Sequence, residues 1–210
     1  AFYTRPQLAV PTTHRTLEPL VYETVDGIRK PRTPEEILAL KVCDLAMGSA
    51  SFLIAALRYL TEALYESLLA HGRITGRKDE SLVSLPFGGK ATGGLSEELI
   101  PVPPDDERFE RLLKARLKRY VVERCLYGVD INPLAVELAR LSLWVETMDR
   151  ELPFEFLDHR LKVGNSLVGC WFDRFQDYPA LAWAREGGDG PKGAITKKIK
   201  DILNTRVKPE

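Results

Sequence analysis

Leu126-Tyr127-Gly128-Val129-Asp130-Ile131 runs straight into Asn132-Pro133, and this junction decides the fold class. An apolar run of strand length ends on an acid, and a capping Asn followed by Pro then starts a helix. The helix it opens spans 134–148 and is apolar on most sides, which predicts that it is buried. A second junction of this kind lies upstream. Leu40-Lys41-Val42-Cys43-Asp44 reads as a strand closing on an acid, and Ala46 to Ala50 is a turn of small residues. Ser51 to His71 then reads as a long helix, with Leu53, Ala56, Leu57, Leu60, Leu64 and Leu68 as its apolar stripe. Downstream, Leu161-Lys162-Val163 and Phe154 to Leu157 are short strand candidates. Strands alternating with helices predict an α/β fold: a parallel sheet with flanking helices joined by right-handed crossovers. No internal repeat is visible.

The remaining segments set the domain organisation. Residues 5–24 read as a short helical arm, interrupted near Pro11 and Pro19. Thr33-Pro34-Glu35-Glu36 is a strong helix start, with a capping hydroxyl, proline at the first helical position and acids in the first turn. Residues 72–104 crowd glycine and proline and sustain no period, so an inserted loop, partly disordered and mobile, is expected there. Asp105 to Arg124 reads as a helix, 172–192 as loop, and Ile195 to Leu203 as a last basic helix. The expected division is an arm over 1–32, a core over 33–171 with the insertion 72–104, and a loop and basic helix over 172–210.

Composition excludes several classes. The chain has 210 residues, with 30 Lys+Arg against 30 Asp+Glu, so the formal charge is zero, and 44% hydrophobic residues exclude wholesale disorder. Zero net charge does not suit a pure nucleic-acid binder. No window approaches 18 uninterrupted apolar residues, so no membrane span is expected. Ala1 to Leu8 contain Arg5 and no apolar h-region, so no leader is expected either. Cys43, Cys125 and Cys170 are odd in number and far apart, which points to a reducing cytoplasm and gives no metal motif. His14, His71 and His159 show no metal-ligand spacing and read as surface or loop residues.

Three constellations carry chemistry. In Asp44-Leu45-Ala46-Met47-Gly48-Ser49-Ala50-Ser51-Phe52 small residues at a strand-to-helix turn let a ligand approach the backbone. The same residues also suit a tight packing turn. It is neither a G-x-G-x-x-G fingerprint nor a phosphate loop. The second is Asp130. In doubly wound folds an acid at a strand end takes ribose hydroxyls, usually about 20 residues past the glycine turn. The insertion explains the larger spacing here, and Asp130 as a helix cap is the plainer alternative, a role Asn132 fills better. The third is Gly164-Asn165-Ser166-Leu167, where Asn165 both donates and accepts and so suits an adenine edge, though G-N-S is also an ordinary turn. The basic residues Arg108, Arg111, Lys114, Arg116, Lys118, Arg119 and Arg124 could meet phosphate, but Glu107, Glu110 and Glu123 interleave with them and favour a solvated face.

In this order the three constellations resemble the gamma-class, amino-group adenine DNA methyltransferases, most of all the type II restriction–modification enzymes that fuse cleavage and methylation. Phe2-Tyr3-Thr4-Arg5-Pro6 is similar to the family's aromatic-Tyr-Thr-Pro segment, with Arg5 inserted. Asp44 to Ala50 is similar to its Asp-Pro-x-Met/Cys-Gly-Ser-Gly turn. Residues 127–135 match Tyr-Gly-x-Asp-x-Asn-Pro-x-Ala, and 164–167 match Gly-Asn/Asp-Ser-Leu. The resemblance implies a Rossmann-like methyltransferase core, incomplete, with S-adenosyl-L-methionine as cofactor. It implies that Tyr3 and Thr4 face the methionine carboxylate and that Asp44, Ala46, Met47, Gly48, Ser49 and Phe52 hold the methionine portion. By the same resemblance Asp130 takes the ribose hydroxyls, Ile131 packs on the adenine and Asn165 meets its edge, with Asp158 a weaker candidate for that edge.

Leu45 stands where the family usually has Pro, and Ala50 where it has the second Gly; a methyl group at 50 is expected to crowd the cofactor or force a different turn. The family's catalytic Asn-Pro-Pro-aromatic loop occurs nowhere in the chain, so no catalytic residue is assigned. The chain is expected to be a monomeric piece of a larger enzyme, meeting DNA only through that parent and transferring no methyl group alone. A methyltransferase acting on RNA or protein, and a degenerate non-catalytic domain, are the competing readings.

Overall fold

The computed structural model describes residues 4–85, 96–147 and 157–167. The chain enters through α1 (Pro6–Val21), one unbroken helix that contains both Pro11 and Pro19. The expected interruption is therefore corrected. An interior proline costs about 3 kcal/mol of helix propensity, but Ala9, Thr13, Leu17 and Val21 line one face and are buried. Packing of that face outweighs propensity. A hairpin follows, β1 (Tyr22–Val25) antiparallel to β2 (Ile28–Pro31). Its turn is Asp26-Gly27, both at positive φ (54° and 77°), as a two-residue hairpin turn requires. Then come α2 (Pro34–Ala39), closed at its start by the reciprocal Thr33–Glu36 capping box, and β3 (Val42–Asp44).

The longest helix, α3 (Ser51–Ala70), is the centre of the core. Leu53, Leu57, Leu60, Leu64 and Leu68 on it are fully buried. Beyond it the structure departs from expectation. Residues 72–104 are not a structureless loop: β4 (Ile74–Gly76), β5 (Ser81–Leu85) and β6 (Ser96–Ile100) form an antiparallel sheet in the order β4-β5-β6. Along β5 burial alternates, with Ser81, Val83 and Leu85 inside, the period-2 pattern of a half-buried strand. Val83, Leu85, Ile100 and Val102 join the same hydrophobic cluster as α3, which is what orders the segment. The residues between β5 and β6 lie outside the described set.

The chain continues through α4 (Phe109–Cys125), β7 (Leu126–Asp130), α5 (Pro133–Thr147) and β8 (Leu161–Val163). The parallel sheet has the order β3-β7-β8, with Val42 opposite Leu126 and Asp130 opposite Val163. α5 is not buried all round, contrary to expectation. Ala135, Val136, Ala139 and Leu143 face the core, whereas Leu134, Leu138, Leu141 and Val145 are 44–66% exposed. The described residues supply α5 with a neighbour on one side only. Of the candidate strand Phe154–Leu157 only Leu157 is described, buried in a short turn; the loop over 172–192, the basic helix over 195–203 and Cys170 lie outside the described residues. Contacts divide the chain into Ala1–Ser166 and Leu167–Glu210.

Candidate functional site

Parallel pairing of β3 with β7, and of β7 with β8, brings the carboxyl ends of all three strands to one edge of the sheet. Ligands of open α/β sheets bind at such an edge. The turn after β3 is stitched to β7 by main-chain and side-chain bonds. Met47 N–H donates to the Val129 carbonyl (3.1 Å), and Gly48 N–H donates to Asp130 Oδ2 (2.8 Å). Within the turn, Ala46 N–H donates to Asp44 Oδ1 (3.0 Å) and Ala50 N–H to the Met47 carbonyl (2.8 Å). The Asp130 Oδ1 atom accepts from Asn132 N–H (2.8 Å), and Asn132 in turn caps α5 through Leu134 N–H (3.0 Å). At the tip of β8, Gly164 N–H donates to the Asp130 carbonyl (2.9 Å), which sets the segment holding Asn165 beside the end of β7.

The expected residues fall into distinct positions. Asp44 and Asp130 are half-buried; Ile131 is 69% exposed and Leu45 59% exposed, two apolar side chains left open beside the acids. Asn165 is exposed, Ala46 is exposed, and Ser49 and Phe52 are half-buried. Met47 differs from the others: its side chain is buried against the face of β7, over Gly128. It is a core residue that fastens the turn, and sequence reasoning did not single out Gly128 as the glycine that leaves it room. Thr4 is half-buried, and Tyr3 lies outside the described residues. Asp158 sits in the turn before β8, 3.4 Å from Arg140.

Ala50 corrects an expectation. The turn keeps the left-handed backbone that a glycine adopts, at φ +71°, and the alanine methyl group is fully buried in the core cluster. The methyl group is therefore packed in the core rather than on the open side of the turn. A cavity of about 390 Å³ adjoins the turn, lined by Asp44, Leu45 and Phe52 together with Thr12, Thr13 and Thr16 of α1. That volume lies within the range of small-molecule sites. Asp130 is not among its lining residues, so the cavity and the Asp130 carboxylate flank the turn. The threonines of α1 were not foreseeable as site residues, since only the packing of α1 brings them there.

Other polar groups resolve into structural roles. Partial desolvation, then the neighbouring Asp44, push the Cys43 thiol up, away from a thiolate nucleophile. The basic residues of α4 form ion pairs: Lys114 with Glu62 and Glu110, Lys118 with Glu146, and Arg119 with Glu123. Among the described residues no three His, Cys, Asp or Glu side chains gather as metal ligands would, and no helix is long and apolar enough to cross a membrane.

The arrangement suits a nucleoside cofactor. An acid at a strand end, an exposed apolar residue next to it and a tight small-residue turn fit a ribose, an adenine face and a ligand passing close to the backbone. Comparison with known proteins gives two matches. Residues 124–190 match the Eco57I restriction-modification methylase family, a stretch that includes Asp130, Ile131 and Asn165. The chain is also similar to a protein of Methanocaldococcus jannaschii that carries the provisional name of a type II restriction enzyme and methyltransferase. The two are 27% identical over 189 residues, covering 82% of this chain and 15% of the relative. Both matches are to proteins described as methylases or methyltransferases of restriction–modification systems, and the chain spans a small part of the relative's length. No solved structure matches the chain. The methylase-like stretch begins at the end of α4 and takes in the whole of β7, α5 and β8.

Proposed function

We propose that the chain is the S-adenosylmethionine-binding part of a restriction–modification enzyme that methylates the amino group of adenine in DNA, on a Rossmann-like core. One observation carries the reading: Asp130 ends the strand beside the one that feeds the small-residue turn, and its carboxylate lies one hydrogen bond from that turn. Asp130 would take the ribose hydroxyls, Ile131 the adenine face and Asn165 its edge. Asp44, Gly48, Ser49 and Phe52 would hold the methionine portion, with Tyr3 and Thr4 toward its carboxylate. The cofactor, when bound, supplies an electrophilic methyl group on a sulfonium centre. The chain's own residues bind and orient it. In this reading the reaction on a flipped base and contact with DNA fall to the whole enzyme.

The test is calorimetric titration of the chain with S-adenosylmethionine, alongside incubation with labelled cofactor and mixed-sequence duplex. Binding without transfer of label to adenine is the expected result. Sustained, cofactor-dependent labelling would refute the assignment of catalysis to the remainder of the enzyme. A second reading, a non-catalytic domain, draws on the fact that Asp130 is already bonded to two backbone N–H groups. Absence of cofactor binding by the folded chain would favour it.

A further inference from the structure

The Asp130 carboxylate joins two parts of the chain that are far apart in sequence. Oδ2 accepts from Gly48, 82 residues upstream, and Oδ1 from Asn132. The turn's other ties to β7 among the described residues are made by Met47. Met47 N–H reaches the Val129 carbonyl, and the Met47 side chain packs over Gly128. Past Gly48 the chain passes through Ala50 into α3, and Ala50 offers no side-chain acceptor at that helix start. The Asp130 carboxylate therefore adds a side-chain tie at Gly48 to the main-chain and packing ties made by Met47. An ionised carboxylate has about four lone-pair sites, so two remain when both N–H groups are bound.

We propose that Asp130 is a positioning residue for the Ala46–Ala50 turn, in addition to accepting from ligand hydroxyls with its remaining lone pairs. The turn and the acid then form one site. Loss of the carboxylate loosens the part of the site that meets the ligand end Asp130 never touches. The ligand half of this statement rests on the cofactor reading above; the turn half does not.

Two measurements separate the halves. The first is amide hydrogen exchange at Gly48 in the chain without ligand. Charge-assisted bonds are about twice as strong as neutral ones, so Asp130→Ala should speed exchange at Gly48 by at least about tenfold and leave the amides in the middle of α3 unchanged. Unchanged exchange at Gly48 overturns the proposal, whatever the ligand. The second is titration of wild type and Asp130→Ala with S-adenosylhomocysteine and with its 2′,3′-dideoxy analogue, which lacks the hydroxyl pair. A residue that only accepted from hydroxyls would leave the affinity of the analogue unaltered, and that outcome also overturns the proposal. A positioning residue weakens the analogue as well, by about fivefold or more, and the parent ligand further. If wild type binds neither ligand, the cofactor reading fails and the exchange measurement alone decides. Should Asp130→Ala not fold, Asp130→Asn keeps one acceptor oxygen, and a smaller change in the same direction is expected in both measurements.

Discussion

At position 50 the chain holds an alanine in a backbone region that glycine enters freely, and the neighbouring strand β7 holds a glycine where a Cβ would press on three side chains. Both facts bear on the candidate site. Left-handed backbone costs a non-glycine residue about 1–2 kcal/mol, whereas the buried methyl group contributes about 0.8 kcal/mol and glycine loses about 0.4–1 kcal/mol through the unfolded chain. These nearly cancel. Ala50→Gly should therefore change unfolding free energy by less than about 1 kcal/mol in urea titration, and a larger loss would mean that the methyl group is the stronger anchor. Gly128 is the opposite case. A Cβ there would collide with Met47 Sδ and come within 3.0 Å of Leu53 Cδ1 and 3.1 Å of Leu161 Cδ2, so Gly128→Ala should cost about 1–3 kcal/mol by overpacking. Met47→Ala on the same chain should recover part of that loss, because the two residues are in contact and their effects couple. At this scale much was legible. The acids at the ends of β3 and β7 and the small-residue turn follow from residue type and position. The inward turn of Met47 was not, since a methionine in a loop gives no sign of which side it packs on until the neighbouring glycine is placed beside it.

Between elements, charged side chains do part of the fastening. Glu146 on α5 accepts from Arg58 of α3 through both carboxylate oxygens (3.0 and 2.8 Å) and from Lys118 of α4 (3.0 Å), joining three helices. The Arg58 hydrogen bond lowers its pKa most, burial opposes that, and Lys118 lowers it further. A carboxyl group whose folded pKa lies below its unfolded one adds stability above the ordinary glutamate range and loses it as pH falls through the folded value. Wild type should therefore lose stability on acidification from about pH 5 toward pH 3 more steeply than Glu146→Gln. The two should differ at neutral pH, with the variant less stable, and converge in acid. Parallel slopes across that window in urea unfolding would refute the assignment. Which elements exist was readable where local chemistry speaks: Thr33-Pro34-Glu35-Glu36 starts α2 through its capping box, and Asn132 starts α5. The Asp26-Gly27 hairpin carries a readable turn signal, but its four-residue flanking strands are too short to show a period. The continuity of α1 across Pro11 and Pro19 was not readable, because packing of its buried face rather than propensity sustains it.

For the molecule as a whole the unforeseen feature is the sheet β4-β5-β6. Glycine and proline crowd the segment at Gly72, Gly76, Pro101, Pro103 and Pro104 and hide two five-residue strands, β5 and β6, too short for any period to stand out. What orders them is distant in sequence. Val83, Leu85, Ile100 and Val102 belong to one cluster with Leu57, Leu60 and Leu64 of α3 and with Leu113 and Leu117 of α4. Tyr120 of α4 donates a hydrogen bond to Glu98 of β6, and Ser81 donates to the Val102 carbonyl (2.7 Å). A segment that shares its core with the central helices cannot melt alone without opening that core to water. Ile100, 1% exposed, tests this. Ile100→Ala removes buried methylene volume and should cost about 2–5 kcal/mol. If the sheet is part of one cooperative unit, the loss falls on the whole described fold. Urea transitions followed by far-ultraviolet and near-ultraviolet circular dichroism should then coincide and move together to lower denaturant. Amides of β5 should exchange at rates that follow global unfolding in both proteins. If instead the sheet were a loosely attached insertion, Ile100→Ala would speed exchange in β4, β5 and β6 while leaving the amides of α3 protected as before. That result would show that the shared apolar cluster contributes little between this sheet and the central helices, and that the buried face of β5 is held by its own strands.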